Sequence, residues 1–134
     1  DLYAGSGAMG LEALSRGARR VTFVESDREA AETILRNLDK LRLEGAVVLR
    51  EDAGRKLAAD VVRGRRYDLV LVDPPYAMLA RILPTLAAHL PAVLSESGVA
   101  VVESDARDEP DLPLPKRTSR RYGSSRVTVF EAPR

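Results

Sequence analysis

The chain has no cysteine, no tryptophan, one histidine and two phenylalanines. Without cysteine there is no disulfide, no thiolate metal site and no sulfur nucleophile, a composition suited to a reducing cytoplasm. The single histidine, His89, sits among Leu86 and Leu90 with no second ligand nearby in sequence. It reads as a packing or surface residue, no Ser/His/Asp series can be assembled around it, and no metal site is expected. No signal peptide is visible. The most apolar stretch, Ala77 to Leu94, is interrupted by Arg81, Pro84, His89 and Pro91, which argues against a membrane span. Charge of one sign is also lacking: the net charge is +1 over 134 residues. It is unevenly placed, however. From Pro110 onward Lys116, Arg117, Arg120, Arg121, Arg126 and Arg134 face only Asp111 and Glu131. Such a patch suits a polyanion or a solvated face. With 45% apolar and 31% charged residues, the chain has the composition of one ordinary globular domain, 1–134.

What is present is organised around Tyr67-Asp68-Leu69-Val70-Leu71-Val72-Asp73-Pro74-Pro75-Tyr76. Six apolar-rich residues with almost no alternation predict a strand buried on both faces. Pro74 and Pro75 lack an N–H and have a fixed φ, so the strand ends there and Asp73 and Tyr76 ride on a stiff turn. The carboxyl edge of a parallel sheet is where open α/β folds bind ligands.

Upstream, Asp1-Leu2-Tyr3 reads as the last part of a strand whose beginning lies outside this sequence. Ala4-Gly5-Ser6-Gly7-Ala8-Met9-Gly10 follows, a G-x-G-x-x-G turn opening a helix with Ala8, Leu11 and Leu14 on one face and Gly17 as its stop. Arg20 to Glu25 predicts a strand, and Ser26-Asp27-Arg28-Glu29 a capping box. In the next helix Ala31, Ile34, Leu35, Leu38 and Leu41 repeat at helical spacing up to Gly45. Ala46 to Arg50 predicts a third strand, and a short helix after Asp52-Ala53 buries Leu57, Ala58, Val61 and Val62. Arg63-Gly64-Arg65-Arg66 is a basic turn. Beyond Tyr76 a helical pattern runs to Leu90, with Pro84 in a first turn or at a kink. Ser97-Gly98 breaks it, and Val99 to Val102 is a buried strand ending in Glu103. Ser104 to Pro115 is too broken for a helix. Lys116–Tyr122 and Arg126–Glu131 predict a hairpin about Gly123-Ser124-Ser125. The order is βαβαβαβαβ plus a hairpin: a parallel sheet with helices on both faces, closed by antiparallel strands.

Acidic or glycine-rich groups close four successive strands. The glycine turn lets a ligand approach the backbone, and the helix start offers free N–H groups; nicotinamide dinucleotides and S-adenosylmethionine both suit it. Glu25 is placed to accept two ribose hydroxyls or, more blandly, to cap a helix. Asp52 could accept an adenine amino group, with the Ala53 N–H donating to the ring, or simply cap the following helix.

The runs Asp1-Leu2-Tyr3-Ala4-Gly5-Ser6-Gly7, Glu12-Ala13-Leu14-Ser15-Arg16-Gly17-Ala18, Val24-Glu25-Ser26-Asp27 and Val72-Asp73-Pro74-Pro75-Tyr76 resemble the bacterial 16S rRNA guanine-N2 methyltransferases. The resemblance covers essentially the whole chain. Asp-Pro-Pro-Tyr alone marks only the wider class of amino-group methyltransferases. The resemblance implies the class I methyltransferase fold, a Rossmann-like sheet, and S-adenosyl-L-methionine as cofactor. It implies an N-terminal extension, absent from this sequence, that closes the site. It assigns Asp73, Pro74, Pro75 and Tyr76 to catalysis. Asp1, Tyr3, Ala4, Gly5 and Gly7 would border the cofactor from the first turn, with Glu25, Ser26, Asp52, Ala53 and Asp73 beyond it. The implied partner is 16S rRNA or a small-subunit assembly intermediate, met by a cytoplasmic monomer. Rival readings are a DNA adenine or protein glutamine methyltransferase, a nicotinamide-dependent dehydrogenase, and a non-catalytic RNA-binding fragment. Arg63, Arg65, Arg66, Arg120, Arg121 and Arg126 are candidates for phosphate contacts.

Overall fold

The computed structural model describes residues 1–134 and contains two compact units, Asp1–Lys56 and Leu57–Arg134. In the first unit the opening residues form no strand. Leu2 makes only an isolated parallel bridge to Val24. The glycine turn then leads into α1 (Ala8–Ser15), β1 (Val21–Val24), α2 (Arg28–Leu41) and β2 (Ala46–Leu49). β1 and β2 pair in parallel from Val21↔Ala46 to Val24↔Leu49. Leu11 and Leu14 of α1, Val21 and Phe23 of β1, and Ile34 and Leu38 of α2 form the core. A Cβ on Gly10 would overlap the Phe23 ring, so this glycine is what lets α1 lie close on β1.

One local expectation needs correction here. Asp27, not Ser26, caps α2, its carboxylate accepting the Ala30 N–H at 2.9 Å. Ala8 is exposed, because the inner face of α1 is set by Gly10, Leu11 and Leu14. Leu35 and Leu41 are also exposed, since the buried stripe of α2 is the narrower Ala31-Ile34-Leu38 set.

The boundary between the units falls within α3 (Ala53–Arg63). Its buried positions are Ala53, Lys56, Leu57 and Asp60, an i, i+3, i+4, i+7 stripe. Val62 lies off that stripe and is 88% exposed, contrary to the expected inward placement.

The second unit carries β3 (Tyr67–Val72), α4 (Tyr76–Val93), β4 (Leu94–Asp105), β5 (Lys116–Tyr122) and β6 (Ser125–Glu131), in sheet order β3-β4-β6-β5. β3 and β4 are parallel; β4–β6 and β5–β6 are antiparallel. Only Val70, Leu71 and Val72 of β3 are buried; Asp68 and Leu69 are exposed, so the strand is buried on both faces only in its second half. β4 is longer than the expected Val99–Val102. The helix ends at Val93, ahead of Ser97-Gly98, which lies inside β4 where the register against β3 shifts; Gly98 passes so close to the Tyr67 carbonyl that a Cβ would stand 2.7 Å from that oxygen.

One face of this sheet, with Val70, Val72, Ala100, Val102, Thr128 and Phe130, is closed from solvent. The other carries half-buried Val99, Val101, Val127 and Val129. α4 packs on β4 and buries Leu79, Ile82, Leu86, Leu90 and Val93. Pro84 is not in a first turn: it lies inside α4, which runs through both Pro84 and Pro91. Pro84 and Ala80, whose carbonyl loses its partner to the proline ring, are both exposed to water. By length and composition alone α4 could cross a membrane, with 18 residues and a mean hydropathy of 1.2, but its apolar stripe is spent on the core of the unit.

Candidate functional site

In the first unit the glycine turn is held by four backbone ties. The Ala4 N–H donates to the Val24 carbonyl at 3.1 Å, and the Gly7 N–H to the Ala4 carbonyl at 2.8 Å. The Gly5 N–H donates to Glu25 Oε1 at 2.8 Å, and the Gly10 N–H to Asp1 Oδ2 at 3.0 Å. Gly5 and Gly7 take φ of +58° and +83°, which a side chain would strain. Tyr3 also has a positive φ, 55°. Around the Gly5 Cα there is open space, whereas a Cβ on Gly7 would press on Ile34 and Phe23. The two glycines thus divide the work, one facing outward and the other inward.

Glu25 follows β1 and is half-buried. Its second oxygen, Oε2, accepts the Asp27 N–H at 2.8 Å. Each carboxylate oxygen therefore has one backbone partner and a lone pair left over, the donor set that two vicinal hydroxyls would meet. The next two amides at the start of α1, those of Ala8 and Met9, have no protein acceptor, as expected of a helix start.

Asp52 does what its blander reading called for: Oδ2 accepts the Arg55 N–H at 3.0 Å and caps α3. Tyr3 lies near enough to Asp52 to feel its charge. Burial first, and the Asp52 carboxylate second, raise the Tyr3 phenol above its ordinary value. Ala53 is buried and Ser26 exposed. Asp1, Tyr3, Ala4, Gly5, Gly7, Glu25, Ser26, Asp52 and Ala53 all fall in the first unit.

In the second unit β3 delivers Asp73, Pro74, Pro75 and Tyr76 at its carboxyl end. Pro74 is buried and Pro75 exposed. The Pro75 carbonyl accepts the Met78 N–H at 2.9 Å and starts α4, while no protein donor reaches the Pro74 carbonyl or the Asp73 carboxylate. Burial raises the Asp73 carboxyl above the usual carboxylate range, and the Glu103 charge raises it further. Glu103 comes from the neighbouring strand, one step beyond the Val72↔Val102 pair.

The Tyr76 ring is 40% exposed, and its hydroxyl is hydrogen-bonded to Ser125 Oγ. Two groups at this edge were not singled out from sequence. Glu103 ends a strand and was legible as such, but its proximity to Asp73 depends on the β3–β4 register. Ser125 read only as part of a turn, and its contact with Tyr76 depends on β6 running antiparallel to β4.

The basic candidates divide. Arg126 is turned inward, donating to the Ala106 carbonyl and Ser119 Oγ at 3.0 Å each. Arg66 reaches the Leu94 carbonyl at 3.2 Å. Arg63, Arg65, Arg120 and Arg121 are exposed. No cluster of three or more acidic or histidine side chains suits a metal ion.

Comparison with known proteins matches residues 1–131 to the family described as conserved hypothetical protein 95. A Bacillus subtilis (strain 168) protein bearing an rRNA methyltransferase name, YlbH, is 37% identical over 138 residues, covering 98% of this chain and 73% of its own. Ribosomal RNA small subunit methyltransferase D of Escherichia coli (strain K12) is 42% identical over 76 residues, 57% of this chain and 37% of the relative. Among solved structures, Thermus thermophilus protein TTHA0928 superposes with a TM-score of 0.86 at 33% identity, over 98% of this chain and 73% of that one. A Streptococcus mutans protein described as a SAM-dependent methyltransferase shares the fold, with a TM-score of 0.81 at 13% identity, over 98% of this chain and 43% of that one.

Proposed function

The chain belongs to the conserved hypothetical protein 95 family, and on that premise we propose that it transfers a methyl group from S-adenosyl-L-methionine to the exocyclic amino group of a guanine in small-subunit rRNA. The fold is that of the class I methyltransferases. The observation that carries the proposal is the acceptor pair after β3: the Asp73 carboxylate and the Pro74 carbonyl, neither taken by a protein donor.

A guanine amine is a poor nucleophile because its lone pair is delocalised into the ring. It attacks only if the nitrogen moves toward sp³ and its N–H bonds are held. Asp73 and the Pro74 carbonyl accept hydrogen bonds from those two N–H groups and so localise the lone pair, and the Asp73 carboxylate takes the one proton that the alkylated nitrogen must shed. Tyr76 offers a half-exposed ring on which the extruded base stacks, worth ~1–3 kcal/mol. Most of the acceleration comes from alignment, for which in-line positioning supplies roughly 7–11 kcal/mol.

The residues of the first unit fit the cofactor on two counts. Glu25 keeps a lone pair on each oxygen for the ribose hydroxyls, and the open side of Gly5 leaves room for a ligand against the backbone. When bound, the cofactor supplies an electrophilic sulfonium methyl. Asp1 and Gly7 shape the turn, and Tyr3, Ala4, Ser26, Asp52 and Ala53 border it. The finer assignments to guanine N2, 16S rRNA, a monomeric state and the cytoplasm belong to this same proposal.

Isothermal calorimetry with S-adenosylhomocysteine and with NAD tests the cofactor, and transfer of a labelled methyl group to small-subunit rRNA, followed by nucleoside mass spectrometry, tests the reaction. Binding of NAD in preference to S-adenosylhomocysteine, or label on a nucleoside other than N2-methylguanosine, would overturn the corresponding part. A dehydrogenase reading leaves the Asp73-Pro74 acceptor pair without a task.

A further inference from the structure

The hairpin brings a second aromatic ring to the edge that carries Tyr76. β4 continues beyond Val102, the partner of the last β3 residue, to Asp105, and Asp105 pairs with Ser125. The hairpin turn therefore overhangs the end of β3 by three residues, roughly 10 Å at strand rise. Tyr122 pairs with Ser125 across a two-residue turn in which Gly123 has φ +61°. Directly paired residues point to the same side of the ladder. Ser125, which holds the Tyr76 hydroxyl, is thus the near neighbour of the Tyr122 ring.

Tyr122 is 58% exposed, the most exposed aromatic ring in the chain. Arg120, two residues back in β5, shares its side. Arg120 is exposed and takes no part in the ion pairs of this region, which join Lys116 to Glu109, Arg117 to Glu131 and Arg107 to Asp105. The acid nearest the hairpin end, Asp105, is already engaged by the Arg107 backbone and guanidinium. Arg121 is turned back onto the Gly123 carbonyl.

An exposed ring with an uncommitted guanidinium beside it, continuous with the residue that stacks the target base, matches the chemistry of an unpaired nucleotide. The ring takes the base face and the cation takes the phosphate. We propose that Tyr122 and Arg120 form a subsite for the unpaired RNA strand flanking the target nucleotide, and that Ser125 is a positioning residue that holds Tyr76 in line with it. The inference rests on the RNA-methyltransferase reading and adds the part of the surface that chooses the substrate.

The test uses the full-length protein and two readouts: fluorescence anisotropy with a labelled single-stranded RNA, which needs no catalysis, and methyl-transfer kinetics on small-subunit rRNA. Tyr122→Ala is expected to weaken RNA binding by roughly five- to a hundredfold and raise KM by a similar factor. Tyr122→Phe should retain binding, and S-adenosylhomocysteine affinity and melting temperature should stay at parent values in both. Arg120→Gln should weaken binding to all sequences alike and lower the salt-dependence slope by about one. Ser125→Ala should lower kcat more than it changes RNA affinity, and Ser125→Thr should rescue it.

Unchanged RNA affinity in Tyr122→Ala and Arg120→Gln overturns the subsite, as does loss of binding to a ribosomal protein with RNA binding intact. If the parent protein binds RNA through these residues yet transfers no methyl group, the enzymatic reading fails and the subsite stands.

Discussion

Asp73, the acceptor in the proposed reaction, also carries a cost to the fold. Its carboxyl titrates above the ordinary range because burial and Glu103 both disfavour its charge. Below the ordinary carboxylate range the group is protonated folded or unfolded, and its contribution to stability is complete. As pH rises through the raised folded value that contribution is lost. Asp73→Asn cannot ionise, so its melting temperature relative to the parent should climb between acid and neutral pH; a difference that is flat with pH would contradict the assignment. Asp73→Ala should abolish methyl transfer while leaving S-adenosylhomocysteine affinity within about threefold. Loss of both together would mean that Asp73 is structural. Activity should also fall on the acid side over a range above that of an ordinary aspartate, since a protonated carboxyl exchanges an acceptor for a donor. At Glu25 the same carboxylate joins the Gly5 and Asp27 amides. Glu25→Gln turns an N–H toward one of those amides and should weaken S-adenosylhomocysteine binding by roughly 1.5–3 kcal/mol in calorimetry.

Among the elements, what sequence disclosed depended on how local the cause was. β3, the hairpin and the glycine turn were legible because prolines, glycines and apolar runs act within a few residues. The length of β4 was not, because Leu94 to Gly98 carries no strand pattern of its own and joins the sheet only through its register against β3. Val62 was expected inside, but only the narrower stripe of α3 is covered, and in α2 the helical repeat likewise leaves Leu35 and Leu41 exposed. Of the candidate site, strand ends and their acids were visible in sequence. The Asp73–Glu103 and Tyr76–Ser125 neighbours were not, since both follow from strand register. The α1–β1 contact offers a check at this scale. Gly10→Ala should drive the Phe23 ring from its place and cost about 1–3 kcal/mol in denaturant unfolding. Asp27→Ala, which removes only a helix cap, should cost ~0.5–2 kcal/mol.

For the molecule as a whole, the residues assigned to the cofactor lie in the first unit, save Asp73, and those assigned to the acceptor lie in the second. Hydrogen exchange should register this division. S-adenosylhomocysteine should slow exchange most at the Ala8 and Met9 amides of the first unit, and RNA should protect the β5–β6 end of the second. The same ligand at a hundredfold excess over its dissociation constant should add about 2.7 kcal/mol to stability. The reversal of direction between β4 and β6 also gives the molecule an adjustable ruler. Four residues inserted at the Gly123-Ser124 tip, two in each strand, would extend its reach by about 7 Å while every side chain of the dry face kept its partner. Under the proposed RNA reading, how far along a polymer the protein samples would then drift by small insertions in one turn, with the Asp73 end of β3 left untouched.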